Sequence, residues 1–161
     1  MTAPWSESFV CAALGIEPPA AEASPFSEIS TDTRAVGPDA LFVALTGERF
    51  DGHDYLATAR DGGASGAVVR HGTPSVEGLR LYPVDDTLVA LGRLARHRRD
   101  IMDGPVVAIT GSNGKTSTKE MVAAVLGTRF RTHATHANLN NLIGIPLTIL
   151  QTPADAQALV L

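Results

Sequence analysis

Apolar positions recur at helical spacing over residues 5–14, with Phe9, Val10, Ala13 and Leu14 in phase, and predict an amphipathic helix. The Pro- and Ala-rich segment EPPAAEASP that follows reads as a linker into a first strand expected over residues 26–29. LFVAL (41–45) has the unbroken apolar character of a buried strand. DYLATARDGG reads as a helix ending on Gly62 and Gly63, GAVVR as a strand, and residues 81–84 as another short strand. Over residues 86–99, Leu88, Leu91, Leu94 and Ala95 share one helical face, while Arg93, Arg96, Arg98 and Arg99 are assigned mostly to the other. The run RLARHRR is read as a solvated face whose cations complement the helix C-terminus. Asp103, Gly104 and Pro105 close this unit and place a module boundary there, dividing the chain into 1–103 and 104–161.

The second module opens on VVAIT, a β-branched run expected to form a parallel strand buried on both faces. The loop GSNG follows. A helix is expected from about Lys115, with Met121, Val122, Val125 and Leu126 facing inward and Gly127 closing it. Next come a strand near residues 130–133, the polar stretch ATHANLNN, the apolar segment LIGIPLTIL, and a last run, ALVL, that reads as a further buried strand. The predicted class is α/β: a small N-terminal α/β domain, then the first part of a phosphate-loop, parallel-sheet domain. Residues 104–161 are few for a comfortable core, so the chain is expected to be part of a longer protein.

Composition narrows the functional classes. The chain has 161 residues, 44% of them hydrophobic and 19% charged, with a net charge of −4. That balance gives no global basic field for nucleic acid or an anionic membrane. No apolar run approaches membrane-spanning length, and no Lys or Arg precedes Arg34, so a soluble protein of the cytoplasm is expected. Cys11 is the single cysteine and is read as a small buried hydrophobe. His133 and His136 lack a nearby third ligand and are read as surface histidines.

The candidate chemistry centres on GSNGKTST (111–118). Gly111 and Gly114 allow backbone N–H groups to approach phosphate oxygens, together with Ser112 and Asn113, and the following helix N-terminus favours anions. Lys115 supplies a compact charge for the β- and γ-phosphates, Thr116 is placed to ligate Mg²⁺, and Ser117 is a further phosphate donor. Lys115 and Lys119 are the only two lysines, against eleven arginines. A tight phosphate turn explains a Lys at 115. Lys119 is read as an ordinary helix-surface cation. The full GxxxxGK[ST] pattern would need Gly at Ile109, so only the shorter GxxGKT is satisfied.

Three separated stretches, STDTRAVGPDALFVALTGERFDGHDY, VVAITGSNGKTSTKEM and ANLNNLIGIPLTIL, resemble the Mur ligases of peptidoglycan synthesis, and among them those that add D-alanyl-D-alanine. The resemblance runs from about Glu28 to Leu161. It implies an N-terminal domain holding the UDP end of UDP-N-acetylmuramoyl-tripeptide and a central domain binding ATP with Mg²⁺. It also implies an amide ligation through an acyl phosphate, by a protein expected to act as a monomer. The family's other metal-binding acid, modified lysine and amine-binding domain match nothing here, so this chain alone is expected to lack turnover. The matching positions on the UDP side are Ser30, Asp32, Thr33 and Arg34, then Thr46, Gly47, Arg49, Asp51, Gly52 and His53. Asn138, Asn140 and Asn141 are expected on the muramoyl-peptide part, although Ala137 stands where many members carry Gly. Read locally, DTR and DGHD are also ordinary turn and cap sequences. The competing readings are a phosphate-loop kinase or NTPase, a noncatalytic UDP-sugar or nucleotide-binding module, and the related ligase that adds the third residue of the peptide.

Overall fold

The computed structural model describes residues 5–19, 24–48, 50–135 and 140–161. Backbone contacts divide the chain into two units, Met1–Leu94 and Ala95–Leu161.

In the first unit, helix α1 (Glu7–Leu14) begins where the Ser6 side chain accepts a hydrogen bond from the Phe9 N–H, and it ends on Gly15 in the left-handed conformation. Trp5 lies outside the helix, in an isolated antiparallel bridge to Phe26, so the helix starts later than the periodicity predicts. The first strand likewise starts later than expected: β1 is Ile29–Ser30. Strands β2 (Ala40–Val43), β3 (Ala64–Arg70) and β4 (Arg80–Val84) complete a wholly parallel sheet in the order β1-β2-β3-β4. Helix α2 (Leu56–Asp61), preceded by a 3-10 turn at Gly52–Tyr55, connects β2 to β3 and buries Leu56 and Ala59. Strand β2 is buried throughout, and burial of a side chain such as Leu41 contributes about 1.5–3 kcal/mol.

A buried polar cluster ties α1 to β4. Glu7, 1% exposed, accepts from the Arg80 guanidinium and from the Tyr82 hydroxyl, each at 2.7 Å. Burial and then the adjacent carboxylate push the Tyr82 pKa up. Cys11 is buried on the same helix, as its place in the apolar pattern predicts.

Helix α3 (Thr87–Asp100) carries the predicted apolar face, with Leu91, Leu94 and Ala95 buried. Arg98 departs from expectation. It shares that face at helical spacing, is buried, and donates to the Thr152 carbonyl at 3.3 Å. Its long aliphatic stem is what allows an arginine on the apolar side.

The second unit has a three-stranded parallel sheet in the order β5-β7-β6, formed by β5 (Val106–Val107), β6 (Thr132–Ala134) and β7 (Ala158–Val160). The ALVL run is the central strand, and Ala158, Leu159 and Val160 are fully buried. VVAIT is not buried on both faces. Val106 and Val107 are half-buried, and β5 is an edge strand that pairs with β7 alone among the described strands.

Helix α4 (Lys115–Gly127) spans the expected residues but turns a different face inward. Met121 and Val125 are 65% and 69% exposed, whereas Lys115, Lys119, Val122 and Leu126 are each partly covered. A stripe at positions 115, 119, 122 and 126 is the one helical spacing lays against β6 and β7, and Met121 and Val125 lie to its side. The segment LIGIPLTIL forms helix α5 (Gly144–Leu150), with Thr148, Ile149 and Leu150 buried.

Candidate functional site

In the first unit, the loops after β1 and β2 meet at the carboxyl ends of their strands, where open parallel sheets place ligands. They enclose a hollow of about 510 Å³ lined by Thr31, Asp32, Thr33, Arg34, Phe42, Phe50, Gly52 and Tyr55. The turn after β1 is held by its own side chains. The Ser30 hydroxyl accepts from the Asp32 N–H, and the Asp32 carboxylate accepts from the Arg34 N–H and from its guanidinium at 2.6–3.2 Å. The Arg34 side-chain bonds, followed by its backbone N–H, hold the Asp32 carboxyl at about 2, well below its usual range. Arg34 remains 88% exposed at the rim.

The second wall is a tighter network. Asp51 caps the 3-10 turn by accepting from the His53 N–H at 3.0 Å, and it also receives the Thr46 hydroxyl and the Arg70 guanidinium, the latter at 2.7 Å. The Arg70 N–H donates to His53 Nε2 at 3.0 Å, so that nitrogen carries no proton and Nδ1–H donates to Asp51. Both ring nitrogens of His53 are thereby engaged within the protein. The His53 backbone bond is the main cause that lowers the Asp51 pKa to about 2. Gly52 is required by close approach: a Cβ there would lie 2.8 Å from the Leu45 carbonyl oxygen and 2.9 Å from its nitrogen. A Cβ on Gly47 would meet the Phe50 ring at 2.8 Å.

The hollow thus brings together Asp32, Thr33, Arg34 and Gly52, with Asp51 and His53 behind its wall and Thr46 hydrogen-bonded to Asp51. Arg49 lies outside the described residues. Sequence reasoning missed Thr31 and the aromatic lining of Phe42, Phe50 and Tyr55. Phe50 and Tyr55 are 56% and 46% exposed, and large rings beside the turn sequence DGHD were the available signal.

The second candidate site follows β5. Gly111 and Gly114 have φ of 150° and 76°, conformations that L side chains rarely adopt, and Gly114 is the N-cap of α4. No side chain caps this helix, and residues 112–114, Thr116 and Ser117 are exposed, so its first N–H groups face outward at the positive end of the dipole. The Lys115 ammonium donates to the Gly111 carbonyl at 2.6 Å and so lies back over the loop. These features fit an anionic phosphate chain, and the exposed Thr116 hydroxyl fits a cation shared with phosphate oxygens. Among the described residues there is no group of three or more His, Cys, Asp or Glu able to hold a metal ion by itself.

Lys119 is not a surface cation. Its side chain is 12% exposed and its ammonium donates to the Thr135 carbonyl at the carboxyl end of β6, with Glu120 at 3.2 Å. Helical spacing from Lys115 explains why: residue 119 is one turn on, along the stripe that meets the sheet. Of the three candidate asparagines, Asn141 accepts from the N–H groups of Ile143 and Gly144 and thereby starts α5, and Asn140 is exposed. Asn138, like His136 and Ala137, lies outside the described residues, and His133 is half-buried on β6.

No helix among the described residues is long and apolar enough to cross a membrane. Residues 25–99 match the catalytic domain of the Mur ligase family, and residues 109–161 match the Mur ligase middle domain. Relatives named UDP-N-acetylmuramoyl-tripeptide--D-alanyl-D-alanine ligase are 43% identical in Bacillus subtilis, over 83% of this chain, and 47% identical in Escherichia coli, over 82%. The chain spans about 29% of the length of each of these relatives. A crystal structure of MurF from Acinetobacter baumannii matches 98% of this chain and 35% of that one, at 34% identity and a TM-score of 0.86. MurF ligase from Thermotoga maritima in complex with ADP matches 83% of this chain and 31% of that one, at 33% identity and a TM-score of 0.74. With both family domains matched in order and the fold shared with solved members, the chain belongs to the Mur ligase family.

Proposed function

We propose that this chain contributes the UDP-substrate domain and the start of the ATP-binding domain, divided at 103/104, of a cytoplasmic, monomeric ligase. Its reaction joins D-alanyl-D-alanine to UDP-N-acetylmuramoyl-tripeptide. The observation that carries this reading is that relatives of that name match across both units at 43% and 47% identity.

In this reading the hollow of the first unit takes the UDP end of the substrate. Arg34, at the rim, pairs with the diphosphate, the aromatic rings pack against the base or sugar, and Ser30, Asp32 and Thr33 shape the turn that presents them. Thr46, Gly47, Asp51, Gly52 and His53 hold the opposite wall. In the second unit, the loop from Gly111 to Ser117 takes the ATP phosphates on its outward N–H groups, and Lys115 exchanges the Gly111 carbonyl for phosphate oxygen. The Thr116 hydroxyl would hold Mg²⁺, which when bound supplies charge neutralisation on the phosphates. The substrate's terminal carboxylate attacks the γ-phosphorus and ADP leaves. The amine nitrogen of D-alanyl-D-alanine then attacks the acyl carbon, inorganic phosphate leaves with the C–O bond electrons, and the nitrogen loses a proton. The chain's own contribution to these steps is positioning and electrostatic stabilisation. Asn140 and Asn141 stand beside the muramoyl-peptide part of the substrate.

The test is phosphate release by the complete protein. Release that requires both UDP-N-acetylmuramoyl-tripeptide and D-alanyl-D-alanine is the expected result. Release with the dipeptide substrate and a single amino acid would instead identify the ligase that adds the third residue.

A further inference from the structure

We propose that Lys119 is a positioning residue that fixes the carboxyl end of β6 against the phosphate-loop helix and so sets the segment carrying Asn140 and Asn141 relative to the nucleotide loop. The inference rests on the function proposed above. Its first support is burial. A lysine pays for losing water around its ammonium, and a cation with no task beyond solubility stays in solvent, whereas the Lys119 side chain is 12% exposed. The second support is its partner. The ammonium donates to the backbone carbonyl of Thr135, a residue that is itself buried and fastened to β7, since both its N–H and its hydroxyl donate to the Val160 carbonyl. Thr135 therefore stands between β7 on one side and α4 on the other.

The third support is residue choice. The chain uses eleven arginines and only two lysines, both in the first five positions of α4 and both donating to a backbone carbonyl, Lys115 to Gly111 and Lys119 to Thr135. A single carbonyl reached in the narrow space between a helix and a strand end suits a compact ammonium, and the broad guanidinium fork is a poor replacement. Along the chain, Thr135 leads to Asn140 and to Asn141, which starts α5. One helix thus presents Lys115 to the nucleotide loop and Lys119 to the strand from which the asparagine segment departs. The Lys119–Thr135 bond joins that helix to the end of β6.

The experiment uses the complete protein and steady-state phosphate release with each substrate varied in turn. Lys119→Met keeps the aliphatic stem and removes the charge and donors. It is expected to raise the KM for UDP-N-acetylmuramoyl-tripeptide about tenfold, with the KM for ATP changed less than about threefold. Lys119→Arg, which restores charge and donors with a bulkier head, is expected to recover part of that loss and also covers the case in which the Met variant fails to fold. An unchanged KM for the UDP substrate in a folded Met variant would overturn the proposal. So would a loss confined to ATP, which would make Lys119 a phosphate ligand, or equal losses in every parameter with no recovery by Arg, which would make it purely structural. Absence of ligase activity in the unsubstituted protein would overturn the proposed function instead.

Discussion

Around the hollow of the first unit, the charged side chains already hold one another: Asp32 pairs with Arg34, and Asp51 joins Thr46, His53 and Arg70. Around the phosphate loop of the second unit, the helix has no side-chain cap and Lys115 rests on a carbonyl of its own loop. The first site is built from completed interactions between side chains, and the second around a helix start that no side chain caps. A site of the first kind is tied to the stability of its sheet. A site of the second kind can lose its function with little change in fold, because what completes it is the ligand.

The strongest break in this comparison is Lys115→Ala in the complete protein. A unit charge at 4 Å and an effective dielectric of about 20 is worth about 4 kcal/mol, or roughly a thousandfold in rate, so phosphate release should nearly vanish. The melting temperature should stay within about 2 °C, since one exposed bond to Gly111 is lost. The reverse pattern is expected for Gly52→Ala. Its Cβ collides with the Leu45 backbone, and the first unit should lose about 1–3 kcal/mol of stability together with UDP binding, measured by chemical denaturation and by calorimetric titration.

Asp51→Asn tests the network more gently. The native carboxyl is depressed to about 2, below its unfolded value, so its contribution to stability is present above about pH 4 and is lost as the pH falls toward 2. The Asn variant should be less stable at neutral pH and show a flatter stability profile across that acidic window in a series of urea melts. The smallest effect is expected at Met121→Ser, within about 0.5 kcal/mol in this chain, because the side chain is 65% exposed. A large loss there would place Met121 on the packed face of α4.

Much of the molecule was legible from local pattern. Alternation of apolar runs with turn residues located β2, β3, β4, α3, α4 and the central strand β7 within a few residues, since a parallel α/β chain repeats the same hydrophobic logic in each unit. The strand, Gly-rich loop and helix start that carry the proposed phosphate site were legible because the pattern is local: glycines, a lysine and a hydroxyl in one stretch. The walls of the hollow were only partly legible. Asp51 and Arg70 are far apart in sequence and meet because β2 and β3 are neighbours, and no spacing rule joins them. The rings of Phe42, on β2, and of Phe50 and Tyr55, in the segment after it, line one hollow, and the Thr46–Asp51 bridge turns that segment back.

By itself the sequence determined the class of fold, the order of elements and the Gly-rich turn that starts α4, because hydrophobic period and turn chemistry are encoded over a few positions. Only the tertiary structure decided which face of α4 meets the sheet, and with it that Lys119 reaches Thr135 while Met121 and Val125 stand in solvent. It also decided that Arg98 is buried. The physical reason is the same in both cases. A long aliphatic stem lets a cation occupy the inward stripe of a helix, so counting apolar residues misplaces that stripe, and only the strands packed against the helix fix where it lies.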